Sequence, residues 1–215
     1  MCGRFTLTAN QQVIEERFRV DMPPEWMPRY NIAPTQNVPI ISNKNPEKAI
    51  LAKWGLVPFW AESADVGYKM INARSETLTS KPAWRTPFKS RRCLIPADGF
   101  YEWAKQEKTK QPYFIHLDDR KPFAFAGLWD VWTDKSTGLE LTTFSIITTE
   151  ANDLMKPIHD RMPVILPEEN ELLWLQKPEL GMLVPYPADL MVADRVGSLC
   201  NSPRVDSPDC LLPAT

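Results

Sequence analysis

The stretch "CLIPADGFYEW" (residues 93–103) reads as extended chain interrupted at Asp98-Gly99, a pair suited to a turn. Runs of the same character recur on both sides of it: "AILAKWGLV" (49–57), "PYFIHL" (112–117), "PFAFAGLWDVW" (122–132), "TTFSIITT" (142–149), "MPVIL" (162–166) and "LMVADRV" (190–196). Each is short, apolar and rich in β-branched or aromatic residues, the composition of a strand packed on at least one face. Helical patterns are few. "TANQQVIEERF" (8–18) predicts a first helix, with Thr8 and Gln11 as a capping box and Val13, Ile14 and Phe18 as its apolar stripe. "PEENELLWLQ" (167–176) predicts a late one, with acidic residues in the first turn where they complement the helix dipole. Between them "MPPEWMPRYNIAPTQNVPII" (22–41) holds too much proline for a helix and should be loop leading into strand.

The expected fold is therefore α+β and strand-dominated: twisted, partly barrel-like antiparallel sheets with a few peripheral helices, in one domain over 1–215. Composition agrees. Proline makes up 21 of the 215 residues, about twice the usual ~5%, while glycine numbers only 8. Stiff connections between short strands fit that balance better than a helical bundle does. A chain of this length buries roughly 70% of its unfolded surface and needs neither disulfide nor metal to be stable.

The four cysteines, Cys2, Cys93, Cys200 and Cys210, have neither zinc-site spacing nor that of a secreted disulfide framework. With no signal peptide or membrane-spanning run in view, a reducing cytoplasm is the expected compartment. The formal net charge is −2, from 25 basic and 27 acidic residues. That excludes a bulk polycation that coats nucleic acid but leaves room for a local basic groove.

Four stretches carry groups able to do chemistry: "MCGRF" (1–5), "INARSE" (71–76), "ADGFYEW" (97–103) and "IHDRMP" (158–163). In extended chain, residues two apart share a face at a spacing of about 6.6 Å. Cys2 then sits beside Arg4, Asn72 beside Arg74, and His159 beside Arg161. An arginine at a repeated offset from a polar or reactive group suits a groove that holds a phosphate backbone while its neighbours act on what lies between. Glu102 shares a face with Phe100 if its run is extended, and an apolar setting raises a carboxyl pKa. Every one of these groups also has a plainer reading: a cysteine near a terminus, a turn-capping asparagine, a solvated glutamate. His116 alternates as an ordinary strand residue, and Asp98-Gly99 reads as turn rather than catalysis. In "WGLVPFW" (54–60) core packing is the default, but Phe59 and Trp60 follow a proline at a loop where exposed rings can stack on bases.

Taken together the motifs closely resemble the SRAP family, the SOS-response-associated peptidase-like proteins that sense abasic DNA. The resemblance runs from "MCGRF" and "RYNIAPTQ" through "WGLVPFW", "INARSET", "RCLIPADGFYEW" and "IHDRMPVIL" to "CNSPRVDSPDC". It implies a catalytic set of Cys2, Asn72, Glu102 and His159, with no departure at any of the four. It further implies that Arg4, Arg74 and Arg161 contact DNA phosphates, that Trp60 and Trp103 pack near the lesion or wedge apart neighbouring bases, and that Pro34 and Thr148 line the pocket. The implied partner is single-stranded DNA containing abasic sites, bound by a monomer without metal, cofactor or membrane, with the protein at the nucleoid when on DNA.

The resemblance gives Cys2 a use. If Met1 is removed, residue 2 presents an amine and a thiol two carbons apart. An N-terminal amine has a pKa of about 7.7–8.0, so part of it is unprotonated at neutral pH and can form a Schiff base with an aldehyde. The thiol can then close a five-membered thiazolidine, leaving a cross-link and an unbroken strand. Two other outcomes draw on the same residues: thiol peptidase chemistry at Cys2, of the hydrolase class the family name implies, and lyase cleavage through the Schiff base alone. N-terminal-cysteine glutamine amidotransferases share only the first three residues, and a non-enzymatic single-strand binder is the plainest alternative.

Overall fold

The computed structural model describes residues 2–107 and 109–214. The chain runs β1 (Phe5–Leu7), α1 (Gln11–Phe18), β2 (Arg29–Ile32), β3 (Asn37–Ser42), β4 (Asn45–Trp54), β5 (Asn72–Arg74), α2 (Pro82–Ser90), β6 (Arg92–Ala97) and β7 (Gly99–Lys105). It continues with β8 (Lys110–Leu117), β9 (Phe123–Thr133), β10 (Glu140–Glu150), β11 (Arg161–Pro163), β12 (Ile165–Leu166), α3 (Glu168–Gln176) and β13 (Met191–Arg195), with short 3-10 turns between. The strand-dominated α+β expectation holds.

Two sheets form. One has the order β13-β8-β7-β1-β2. In the other, β10-β4-β3-β6-β9 follow one another and β9 pairs back onto β10, closing a barrel to which β5, β11 and β12 attach. Closure removes exposed edges, which a sheet of long apolar strands would otherwise present. The pairing is not purely antiparallel: β10 runs parallel to β4 and, further along, to β5. Phe125 of β9 joins the two sheets, meeting Phe5 of β1 at 5.7 Å and Phe100 of β7 at 6.0 Å between ring centroids, edge to face. Burying each such ring contributes about 1.5–3 kcal/mol. The strands that carry functional groups are thus fixed to a common core.

Local readings fare unevenly. α3 forms where its acidic first turn predicts it. α1 also forms, but Asn10 caps it, its side chain accepting from Val13 N at 3.0 Å. Thr8 is instead bound to Asp98, through its backbone N–H and its hydroxyl, so the Thr8–Gln11 box does not form. Ile14 is buried and Val13 is exposed, which narrows the expected stripe. Asp98 accepts also from Thr6 Oγ1 and Ala9 N, so it ties β1 to the β6–β7 junction. Gly55, at φ 124°, lets the chain leave β4 against Gly67, whose carbonyl oxygen a Cβ would meet at 2.6 Å. That close crossing leads into the loop bearing Phe59 and Trp60, exposed at 55% and 53%.

Arg92 is 4% exposed and, among the described residues, meets no carboxylate. It donates to the carbonyls of Trp174, Leu175 and Gln176 at the end of α3 and to those of Phe88 and Lys89 at the end of α2. A guanidinium fork suits this task, since both helices end with unsatisfied carbonyls and negative dipole ends. Arg92→Met should therefore lower unfolding stability by about 3 kcal/mol, because it strands buried acceptors as well as removing bonds. Equilibrium urea unfolding measures it, and a loss below about 1 kcal/mol would mean that the helix ends find other partners.

Candidate functional site

Cys2 lies just ahead of β1 and is fully buried. The segment is held at Arg4, whose carbonyl accepts from Tyr101 N of β7 at 2.9 Å. Asn72 opens β5, fixed by parallel pairing of Asn72 to Ile146 of β10. From there its side-chain Nδ2 donates to the Cys2 carbonyl at 2.7 Å. The amide's other end, Oδ1, is buried with no hydrogen-bond partner among the described residues. An acceptor so placed is costly unless something donates to it.

Glu102 is 3% exposed on β7, opposite Tyr113. Burial first, and then the Glu102 carboxylate, push the Cys2 thiol well above its ordinary value. The residue is a neutral thiol at physiological pH, its Sγ donating to the Arg4 carbonyl at 3.9 Å.

His159 sits where the chain turns into β11, its N–H bonded to Met155 O at 2.8 Å. Its Nδ1 lies 3.0 Å from the Arg161 N–H, from which it accepts when unprotonated, and 2.8 Å from Asp160 Oδ1, to which it donates when it carries the proton. A cleft of about 810 Å³ is lined by Glu102 and His159 together with Arg4, Trp103, Ser198 and Asn201. Cys2 and Asn72, bonded to each other, are not among the residues that line it. The structure therefore joins Cys2 to Asn72 by a hydrogen bond, Cys2 to Glu102 electrostatically, and Glu102 to His159 across one cleft.

The three arginines differ from one another. Arg74 is exposed at the end of β5. Arg161 grips Glu76 with both terminal nitrogens, at 2.5 and 3.0 Å, and donates to Thr148 O at 2.7 Å. The Arg161 bonds hold the Glu76 carboxyl below its usual range. Arg4 donates to Asn31 Oδ1 at 2.7 Å and to Cys200 O at 2.6 Å while lying over the Trp103 ring. Two of the three are thus already in internal pairs rather than presented as open forks. Thr148 is fully buried and Pro34 half-buried; both lie outside the cleft lining, as do Arg74, Arg161 and Trp60.

Sequence reading assigned no role to the segment that walls this cleft on one side. Trp103 donates its indole N–H to Asn201 Oδ1 at 2.6 Å. Asn31 Nδ2 donates to Ser202 O and Val205 O, at 3.0 and 2.6 Å. Asp206 accepts from the backbone N–H groups of Tyr30 and Asn31 and pairs with Arg29. The tail is therefore laced to β2, and β2 in turn to Arg4. The only signal for it was the motif pair "RYNIAPTQ" and "CNSPRVDSPDC", which says nothing of contact between them.

A family model for SOS response associated peptidase (SRAP) matches residues 1–203. The abasic site processing protein YoqW of Bacillus subtilis (strain 168) is 48% identical, over 98% of this chain and 99% of that protein. The abasic site processing protein HMCES of Gallus gallus is 32% identical, over 88% of this chain and 69% of its own length. A crystal structure of a protein from Bacteroides thetaiotaomicron superposes with a TM-score of 0.91 at 30% identity, covering 100% of both chains. Among the described residues no helix is long and apolar enough to cross a membrane.

Proposed function

The chain belongs to the SRAP family, and from that premise we propose that it processes abasic sites in single-stranded DNA by trapping the open-chain aldehyde on Cys2, made N-terminal by removal of Met1. The observation that carries the reading is the Asn72–Cys2 bond of 2.7 Å. It fixes residue 2 through its backbone carbonyl and leaves both the thiol and the position of a freed amine to chemistry. The unpartnered Asn72 Oδ1 is an acceptor suited to that amine.

The steps balance as follows. Protonated His159 gives a proton to the ring oxygen of the closed sugar as the C1–O bond breaks, while the anomeric hydroxyl loses its own proton to solvent and the imidazole regains one, so the aldehyde forms with no net proton consumed. The Cys2 amine adds to the carbonyl carbon, and Glu102 moves a proton from nitrogen to the departing hydroxyl, so one water leaves and an imine forms. The Cys2 sulfur then adds to the imine carbon, and its proton passes through Glu102 to nitrogen. A thiazolidine results, no phosphodiester bond breaks, and the lesion is shielded. Arg74, exposed at the end of β5, would hold a strand phosphate, and Arg161 would do so once the phosphate exchanges with Glu76.

The deciding experiment mixes the protein with a single-stranded oligonucleotide bearing one abasic site and denatures the mixture. The expected product is a retarded band with the mass of the Met1-less protein plus DNA minus one water. No such adduct, or one that persists after the α-amine is blocked, would overturn the reading. His159→Ala should slow adduct formation and release alike by about a hundredfold, the scale of a lost general acid. Release at the parent's rate would remove His159 from the ring-opening step.

A further inference from the structure

The cleft is larger than the lesion it is read to hold. At about 810 Å³ it lies near the top of the roughly 300–1,000 Å³ typical of small-molecule sites, whereas an abasic sugar has no base to fill it. Its far end is formed by the β7–β8 hairpin, from which Lys105, Thr109 and Lys110 line the same cleft as Trp103. Beyond the pairings of Phe100 with β1 and of Tyr113 with β13, the bonds of Pro112 and Gln111 to Val196 and that of Trp103 to Asn201, the tip of these two strands pairs only with itself. The projecting end is thus a two-stranded ribbon, a form of marginal stability by itself.

The last rung of that ribbon pairs Lys105 directly with Lys110. Side chains of a cross-strand pair stand on one face, and like charges opposite each other destabilise a hairpin. Among the described residues neither lysine has an ion-pair partner. Lysine often guards sheet edges against aggregation, and here the same pair also lines the cleft. Alternation puts Lys105 on the face of Trp103, so a flat ring and two adjacent cations line one side of the cleft. That is the combination used to hold single-stranded nucleic acid: an aromatic surface for a base and positive charge for its phosphate.

We propose that Lys105 and Lys110 together clamp the phosphate of a nucleotide next to the lesion, whose base stacks on Trp103. The clamp rests on the reading of the cleft as a site for an abasic strand. It adds a neighbouring-nucleotide subsite and explains an otherwise unfavourable lysine pair. Because the lysines stand at the hairpin tip and not at the Cys2–Asn72 pair, they act on strand binding and not on the capture step.

The test separates those two effects. Binding is measured with a single strand carrying tetrahydrofuran in place of the abasic sugar, which has no aldehyde to trap, over a range of salt concentrations. For Lys105→Gln with Lys110→Gln, the slope of log affinity against log salt should shrink by about 0.7, the value for one lost phosphate contact on a single strand. A control with Lys44→Gln and Lys135→Gln, exposed lysines elsewhere, should keep the parent's slope. With a true abasic strand at saturating concentration, the hairpin variant should form adduct at the parent's rate. Thermal unfolding should be unchanged or raised, since a repulsion has been removed. An unchanged slope, an equal loss in the control, or a slower saturated capture rate would each overturn the clamp. Absence of adduct in the parent would instead sink the cross-linking reading while leaving the salt slopes interpretable.

Discussion

Cys2→Ala is expected to abolish the denaturation-resistant adduct and to yield nicked DNA in its place. The variant keeps the N-terminal amine once Met1 is removed, so the imine still forms. What it loses is the group that closes on the imine carbon. An imine left open makes the neighbouring C–H acidic, and elimination of the adjacent phosphate breaks the strand. Closure in the parent is intramolecular, and effective molarities for well-oriented groups reach about 10⁵ M or more. Nothing in solution replaces that, so adduct yield should drop by at least about a hundredfold. Cys2 is a small, fully buried residue, and its truncation should cost only about 1 kcal/mol. Unfolding measured alongside the gel would confirm that the variant is folded. Full adduct yield from folded Cys2→Ala would show that the thiol takes no part in the bond.

The outcome also bears on why the thiol is buried. An exposed thiolate would be open to oxidation and to chance electrophiles. Here burial and the Glu102 carboxylate keep the sulfur protonated, so its reactivity depends on a proton acceptor at the moment the imine forms.

The sequence predicted strands better than helices for a local reason. Runs such as "PFAFAGLWDVW" carry their own signal in composition, and β9 occupies Phe123–Thr133. α2 went unread because Pro87 lies inside it, where proline normally ends a helix. The cap of α1 was misplaced because Thr8 is drawn off by Asp98, about ninety residues away in the chain. Tertiary bonds of that kind leave no trace in a local window. The same division holds at the site. Asn72, Glu102 and His159 sit in motifs with recognisable neighbours, but the Asn31–tail lacing and the Arg161–Glu76 pair are long-range facts. The expectation that an arginine two residues from each reactive group would share its extended face fits only Asn72–Arg74, which form β5. Around His159 the chain turns, and Arg161 reaches back through its own N–H to the imidazole.

Glu102→Gln tests that dependence on a proton acceptor most directly. Glutamine has nearly the shape of glutamate, so the 3%-exposed position on β7 should stay packed and the melting temperature close to the parent's. The amide can neither take the thiol proton nor deliver one to the leaving hydroxyl. Adduct formation should slow by about 10²–10⁴-fold, the range for loss of a general acid–base group. The pH dependence supplies a signed check. Removing the carboxylate takes away one of the two influences that raise the Cys2 thiol, so the variant's thiol ionises somewhat more readily than the parent's. As pH rises, the variant gains thiolate that needs no proton acceptor, while deprotonation of the amine helps both proteins equally. The ratio of variant to parent rate should therefore climb with pH. Single-turnover rates measured between neutrality and mild alkali would show it. A variant within threefold of the parent at neutral pH, or a ratio flat across that range, would mean that the thiol proton leaves by a route in which Glu102 has no part.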